Sequence, residues 1–139
     1  MIHEITTINQ LKNTISQIFP SLTKGVIYLH GDLGSGKTTF VSLFLKQFGL
    51  QEQVSSPSYT LINEYTIDNI HILHADLYRL SSPDELIYLD VDEWEQRADT
   101  IFIEWPEKGL GYIPQPKFSI TLTFNGKQRL LEWTNNVRL

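Results

Sequence analysis

The run Gly31-Asp32-Leu33-Gly34-Ser35-Gly36-Lys37-Thr38 constrains this chain more than any other stretch. It fits the spacing G-x-x-x-x-G-K-[ST] without a gap. The apolar run Val26-Ile27-Tyr28-Leu29-His30 just before it reads as a short strand. After it, Phe40, Val41, Leu43, Phe44, Leu45 and Phe48 are apolar nearly all round a helix that Gly49 caps, which marks a buried helix. A strand, a glycine loop and a buried helix in that order form a cradle for phosphate. The glycines let the backbone wrap closely, successive N–H groups point inward, and the helix adds its positive N-terminal end. In such a cradle Lys37 reaches the β- and γ-phosphates, and the Thr38 hydroxyl binds magnesium.

The rest of the chain supplies a frame for that loop. Thr6-Thr7 is an N-cap pair, followed by Ile8, Leu11, Ile15, Ile18 and Phe19 at helical spacing, with Pro20 as the stop. Tyr59 to Tyr65 and Ile70 to His74 read as strands joined through a turn at Asp68-Asn69. Ser82-Pro83-Asp84-Glu85 opens a helix with a cap and proline in its first turn. Thr100-Ile101-Phe102-Ile103 is an unbroken apolar run, as expected of a central strand buried on both faces. Phe118 to Phe124 and Gln128 to Trp133 alternate around Asn125-Gly126, a hairpin signal. The expected architecture is an α/β core whose sheet mixes parallel and antiparallel strands. With 139 residues and no repeat or linker-like segment, residues 1–139 are expected to form one domain.

A phosphate loop needs a second carboxylate for its metal, normally at the tip of a buried strand. Two acids qualify. Glu104 ends Ile101-Phe102-Ile103, and Asp76 follows the run Ile70 to Ala75. An unpaired buried carboxylate is costly, so an acid in either place needs a cation or a donor. Glu104 is expected in the magnesium shell, directly or through water; Asp76 shares that shell or orients the attacking water. A capping or ion-paired acid is the alternative for each. Arg79 is the candidate cation in cis for a transition state, with a surface ion pair as its other reading. Ser55-Ser56-Pro57-Ser58-Tyr59-Thr60 lies where a switch loop would approach the phosphates, though such strings are commonly ordinary loops. Trp105-Pro106 reads as a device that fixes the strand end. The histidines show no metal-ligand spacing, since His71 and His74 fall on opposite faces of a strand.

Taken together, Gly31 to Phe40, Ser56-Pro57-Ser58-Tyr59-Thr60-Leu61, His74-Ala75-Asp76-Leu77-Tyr78-Arg79-Leu80 and Ile103-Glu104-Trp105-Pro106-Glu107 closely resemble the TsaE (YjeE) family. Ser58 stands where many members carry threonine, and the hydroxyl is kept. The resemblance implies a three-layer P-loop NTPase fold and ATP hydrolysis with Mg2+. It implies catalytic roles for Lys37, Asp76 and Glu104, and nucleotide contacts along the loop through Thr39. It makes Thr38 and Glu104 the metal residues, and points to Thr7 and to Gln128 or Arg129 near the adenine. The implied partners are TsaB and TsaD, the latter transferring a threonylcarbamoyl group to adenosine 37 of tRNA. The ATP cycle would reset that complex between turnovers.

Other phosphate-loop classes fit less well. A small-molecule kinase clamps its substrates with a lid rich in arginine, whereas Arg79, Arg97, Arg129 and Arg138 are scattered. A GTPase needs N-K-x-D and the glycine of D-x-x-G, and neither occurs. A nucleotide-dependent interaction module that does not hydrolyse ATP remains the reading from another class. Sixteen acids against eleven bases leave a net charge of -5, so tRNA is expected to be reached only through other subunits. The acidic stretch Asp84 to Asp99 is a solvated face or, at most, a docking surface for a basic partner. Without cysteine, disulfides and metal–thiolate sites are excluded. Met1-Ile2-His3-Glu4 has neither the charged nor the apolar region of a signal peptide, and no apolar run approaches a membrane span, so a cytoplasmic protein is expected.

Overall fold

In the computed structural model, residues 1–19, 24–57 and 61–135 are described. The expected helix stop at Pro20, the Ser58 to Thr60 part of the polar loop and Arg138 lie outside them. A seven-stranded sheet carries the fold, in the order β1-β7-β6-β2-β5-β4-β3. The strands are β1 (Ile2–Glu4), β2 (Gly25–His30), β3 (Ile62–Ile67), β4 (Ile70–Asp76), β5 (Thr100–Glu104), β6 (Phe118–Phe124) and β7 (Arg129–Asn135). Strands β6, β2, β5 and β4 run parallel; β7 and β3 flank them antiparallel, and β1 pairs antiparallel with β7 at one edge. The mixed sheet expected from the sequence is therefore present. Among the described residues, no helix is long and apolar enough to cross a membrane.

Alternation along β5 separates two cores. Phe102 faces the layer formed by α1 (Ile8–Ile18) and α2 (Lys37–Gln47). Ile101 and Ile103 face the opposite layer, where Leu86, Val91 and Trp94 close the sheet. Helix α1 begins where expected: Gln10 N–H donates to Thr7 Oγ1 at 3.1 Å and Thr7 N–H to Gln10 Oε1 at 2.9 Å, a reciprocal capping box. Phe44 is fully buried and joins three elements, with ring centroids 5.0 Å from Phe19, 6.1 Å from Phe40 and 5.1 Å from Phe102. This aromatic cluster anchors α2 against the end of α1 and the central strand.

The hairpins follow their turn chemistry. Asp68 and Asn69 both adopt positive φ, 46° and 68°, so β3 and β4 join through the mirror-image turn that suits strand twist. At the β6–β7 turn, Asn125 Oδ1 accepts from the N–H groups of Lys127 and Gln128 at 3.0 and 2.8 Å.

Three features depart from the sequence reading. Strand β1 was not expected; its three residues gain their order by pairing Ile2, His3 and Glu4 with Glu132, Leu131 and Leu130 of β7. The helix opened by Ser82-Pro83 is a single turn, α3 (Glu85–Tyr88), whose N-cap Asp84 makes no side-chain capping bond. Asp90 at φ 56° breaks it, and a 3-10 turn and α4 (Trp94–Arg97) follow. Burial drives that break, because Leu86, Val91 and Trp94 must all reach the sheet. Strand β3 starts at Ile62, after Leu61 at φ 67°.

The aromatic anchor gives a direct stability test. Phe44→Ala should cost about 3–5 kcal/mol, as expected for a buried ring that cannot be refilled. Urea unfolding measures it, and a loss below about 1 kcal/mol would show that α2 is held by other contacts.

Candidate active site

The loop Gly31 to Gly36 leaves the end of β2 and turns into α2, and two of its glycines are required by geometry. A Cβ on Gly31 would lie 2.5 Å from Ser35 Oγ and 2.7 Å from the Leu122 carbonyl. Gly36, the residue before α2, sits at φ 102° and offers no side chain to cap the helix. The first turn of this 11-residue helix also holds no acid. Its free N–H groups and dipole therefore face the site uncompensated, which suits an anion. Ser35 Oγ is buried and without a hydrogen-bond partner.

Lys37 is only 5% exposed. Its ammonium donates to the carbonyls of Gly31 and of Asp32, the latter at 3.0 Å, and lies 4.7 Å from the centre of the Trp105 ring. Burial pushes its pKa below the ordinary lysine value, and the nearby Glu104, Asp76, Asp32 and Glu107 pull it back up. The lysine thus holds its own loop in shape and carries a charge that water does not shield.

Opposite it stand the two acids. The parallel register places Asp76 of β4 beside Glu104 of β5, at the same end of the sheet as the loop. They are 6% and 3% exposed. Thr38 Oγ1, in the first turn of α2, donates to Glu104 Oε2 at 3.2 Å. His74 Nε2 lies 2.6 Å from the same oxygen. Asp76 Oδ1 accepts from Tyr78 N–H at 3.0 Å. His74 is buried and His71 exposed, the opposite faces expected of them. What the sequence did not reveal is that His74 meets Glu104. Trp105 also does more than end the strand: at φ 57° it turns its ring over Lys37. A large aromatic directly after a strand-end acid was the available signal.

These groups line one cleft of about 490 Å³. Lys37, Thr38, Asp76, Glu104 and Trp105 form its polar end, and Ile5, Leu11 and Leu122 form an apolar part near Thr7. Arg129 reaches the cleft from β7, with Nη1 donating to the carbonyls of Gly34 and Ser35 at 3.3 and 3.2 Å and its guanidinium 4.5 Å from the Phe124 ring centre. Thr6 Oγ1 accepts from Arg129 N–H at 3.1 Å, which draws the start of α1 to β7. Thr39 and Ser56 also border the cleft. Gln128 does not; its amide donates to Glu4 Oε1 at 3.2 Å. Gly31 and Asp32 line a second hollow on the other side of the loop. Arg79 is exposed and outside the cleft.

The buried lysine yields a test that separates stability from binding. Lys37→Met removes a desolvated charge that hydrogen-bonds the loop carbonyls and is favoured by the nearby Glu104 and Asp76. The ligand-free melting temperature should change little, because relief of the lysine's desolvation offsets the lost loop bonds and counter-charge. The upward shift given by a nucleoside triphosphate with Mg2+ should be lost. Thermal melts with and without ligand read both, and an undiminished shift would remove Lys37 from the binding site.

Comparison with known proteins gives the family. Residues 2–132 match the family model described as "Threonylcarbamoyl adenosine biosynthesis protein TsaE". The "tRNA threonylcarbamoyladenosine biosynthesis protein TsaE" from Haemophilus influenzae is 39% identical over 107 residues, covering 77% of this chain and 68% of the relative. The one from Nostoc sp. is 41% identical, covering 75% of this chain and 66% of the relative. The one from Borreliella burgdorferi is 35% identical, with 95% and 98% covered. Among solved structures, Bacillus subtilis YdiB superposes with a TM-score of 0.76 at 25% identity, covering 97% of this chain and 84% of that one. The chain belongs to the TsaE family.

Proposed function

We propose that this chain is the ATP-hydrolysing subunit of tRNA threonylcarbamoyladenosine biosynthesis. The pathway follows from the family to which the chain belongs. The observation that carries the enzymatic reading is the contact of Thr38 with Glu104 beside an uncapped helix N-terminus and a buried lysine. Anion-binding groups and a cation-binding pair meet within one cleft, which is what a nucleotide polyphosphate with its metal requires.

The residues fit magnesium held together with phosphate. Among the described residues, no group of three or more His, Asp or Glu side chains is placed to hold a metal. One carboxylate and one hydroxyl are the sparse donor set of a site that leaves Mg2+ its waters and the substrate's phosphate oxygens. The ion would neutralise charge on the terminal phosphates. The rest falls to the protein. The N–H groups of the loop and of α2 bind the phosphates, Lys37 places a charge on the β- and γ-groups, and Asp76 orients a water toward the γ-phosphate. Thr7, Arg129 and the apolar wall of Ile5 and Leu11 take the base and ribose.

Turnover by the isolated chain is proposed to be slow. A transition-state cation is worth about 10³–10⁵ in rate when supplied in cis or by a partner. Arg129, the arginine bordering the cleft among the described residues, donates to Gly34 and Ser35 rather than facing the acids. The proposed partners, TsaB- and TsaD-like subunits, would complete the site, and tRNA would be met through them, since a chain of net charge -5 repels phosphate. Phosphate release from ATP, measured with the chain alone and with a TsaB–TsaD complex, tests the reading. Stimulation by the complex is expected. Fast turnover by the chain alone would contradict dependence on partners, and the absence of hydrolysis in both arms would contradict the enzymatic reading.

A further inference from the structure

We propose that His74 is a positioning residue for the metal pair, and that it works by fixing which oxygen of Glu104 faces the cation. The inference rests on the magnesium-nucleotide reading above.

His74 is fully buried on β4, on the strand face shared with Asp76. The β4–β5 register sets it opposite Phe102 and diagonal to Glu104. Its Nε2 lies 2.6 Å from Glu104 Oε2, with the imidazole fully buried and the carboxylate nearly so. An ionised carboxylate has only acceptors, so the ring nitrogen is the donor. Thr38 Oγ1 donates to that same oxygen. Both bonds therefore restrain Oε2, and Oε1 is the carboxylate oxygen that neither of them uses.

The other side of the ring supports a role beyond packing. Nδ1 is buried and has no hydrogen-bond partner. Ile72, two residues earlier on the same strand face, is buried among apolar side chains at no such cost. An aliphatic residue at position 74 would satisfy the core at least as well, because a half-satisfied imidazole is costly to bury. What only a donor at this height can do is hold the carboxylate. Donors behind a metal-binding carboxylate fix its orientation, and their loss commonly weakens metal affinity by about 10- to 100-fold.

The experiment compares His74→Leu, which removes the donor, with His74→Gln, whose amide N–H reaches to the height of Nε2, and His74→Asn, whose amide falls short. Binding of the ATP analogue AMP-PNP is measured by calorimetry across a Mg2+ titration, without catalysis. His74→Leu and His74→Asn should raise the Mg2+ concentration for half-maximal binding by about tenfold or more, and His74→Gln should restore most of it. In a Glu104→Gln background the same changes at position 74 should have little further effect. If His74→Leu fails to fold, the Gln and Asn pair carries the same comparison. Unshifted Mg2+ dependence in folded Leu or Asn variants, equal losses in Gln and Asn, or a shift that persists in the Glu104→Gln background would each overturn the assignment. Wild-type binding that ignores Mg2+ would overturn the underlying magnesium reading as well, so the two failures are distinguishable.

Discussion

The buried carboxylate of Glu104 is the constraint around which this molecule is arranged. A charge taken out of water must be met by donors, and here they come from two other elements, Thr38 from α2 and His74 from β4. For both to arrive, β4 must lie parallel beside β5 in a register that pairs Asp76 with Glu104. Helix α2 must also descend onto β5 with its first turn at the strand's end. The aromatic cluster around Phe44 secures the second requirement, and the pairing of β2 with β5 secures the first turn's starting point. Packing and chemistry are thus linked through one side chain.

The cleft holds several groups that stability alone would not choose. Lys37 is desolvated, Ser35 Oγ is unpartnered, and α2 starts without a cap. All three lie in the glycine loop or the first turn of α2. In the proposed function these are the groups that would meet the phosphates. The strands at one end of the sheet serve it too: β1 pairs with β7, and the Thr6–Arg129 bond just beyond β1 brings the start of α1 and Arg129 to the cleft.

The loop was legible from the sequence because few backbone paths satisfy its glycines, and the strand before it and helix after it were plain in their apolar patterns. The two acids were legible for a related reason, since each ends an apolar run. Their adjacency was not, because strand order is set by contacts between residues far apart in the chain. The spacing of His71 and His74 puts them on opposite faces without saying which is buried, and the partner of His74 lies on another strand, so only the register of β4 with β5 exposes the pair. Gln128 and Arg129 differ by one position, and the boundary between the turn and β7 decides which enters the cleft. Strand β1 is too short for alternation to mark it, and the acidic stretch broke into single turns because its buried residues, not its charges, direct the chain.

The claim on which all of this depends is that Thr38 and Glu104 hold a metal beside phosphates seated on α2. A crystal structure of the chain grown with Mg2+ and a non-hydrolysable ATP analogue tests it most directly. The account predicts phosphates against the loop N–H groups and Lys37, with the ion contacted by Thr38 and by Glu104 directly or through one water. Phosphates seated elsewhere, or an ion held without either residue, would contradict it.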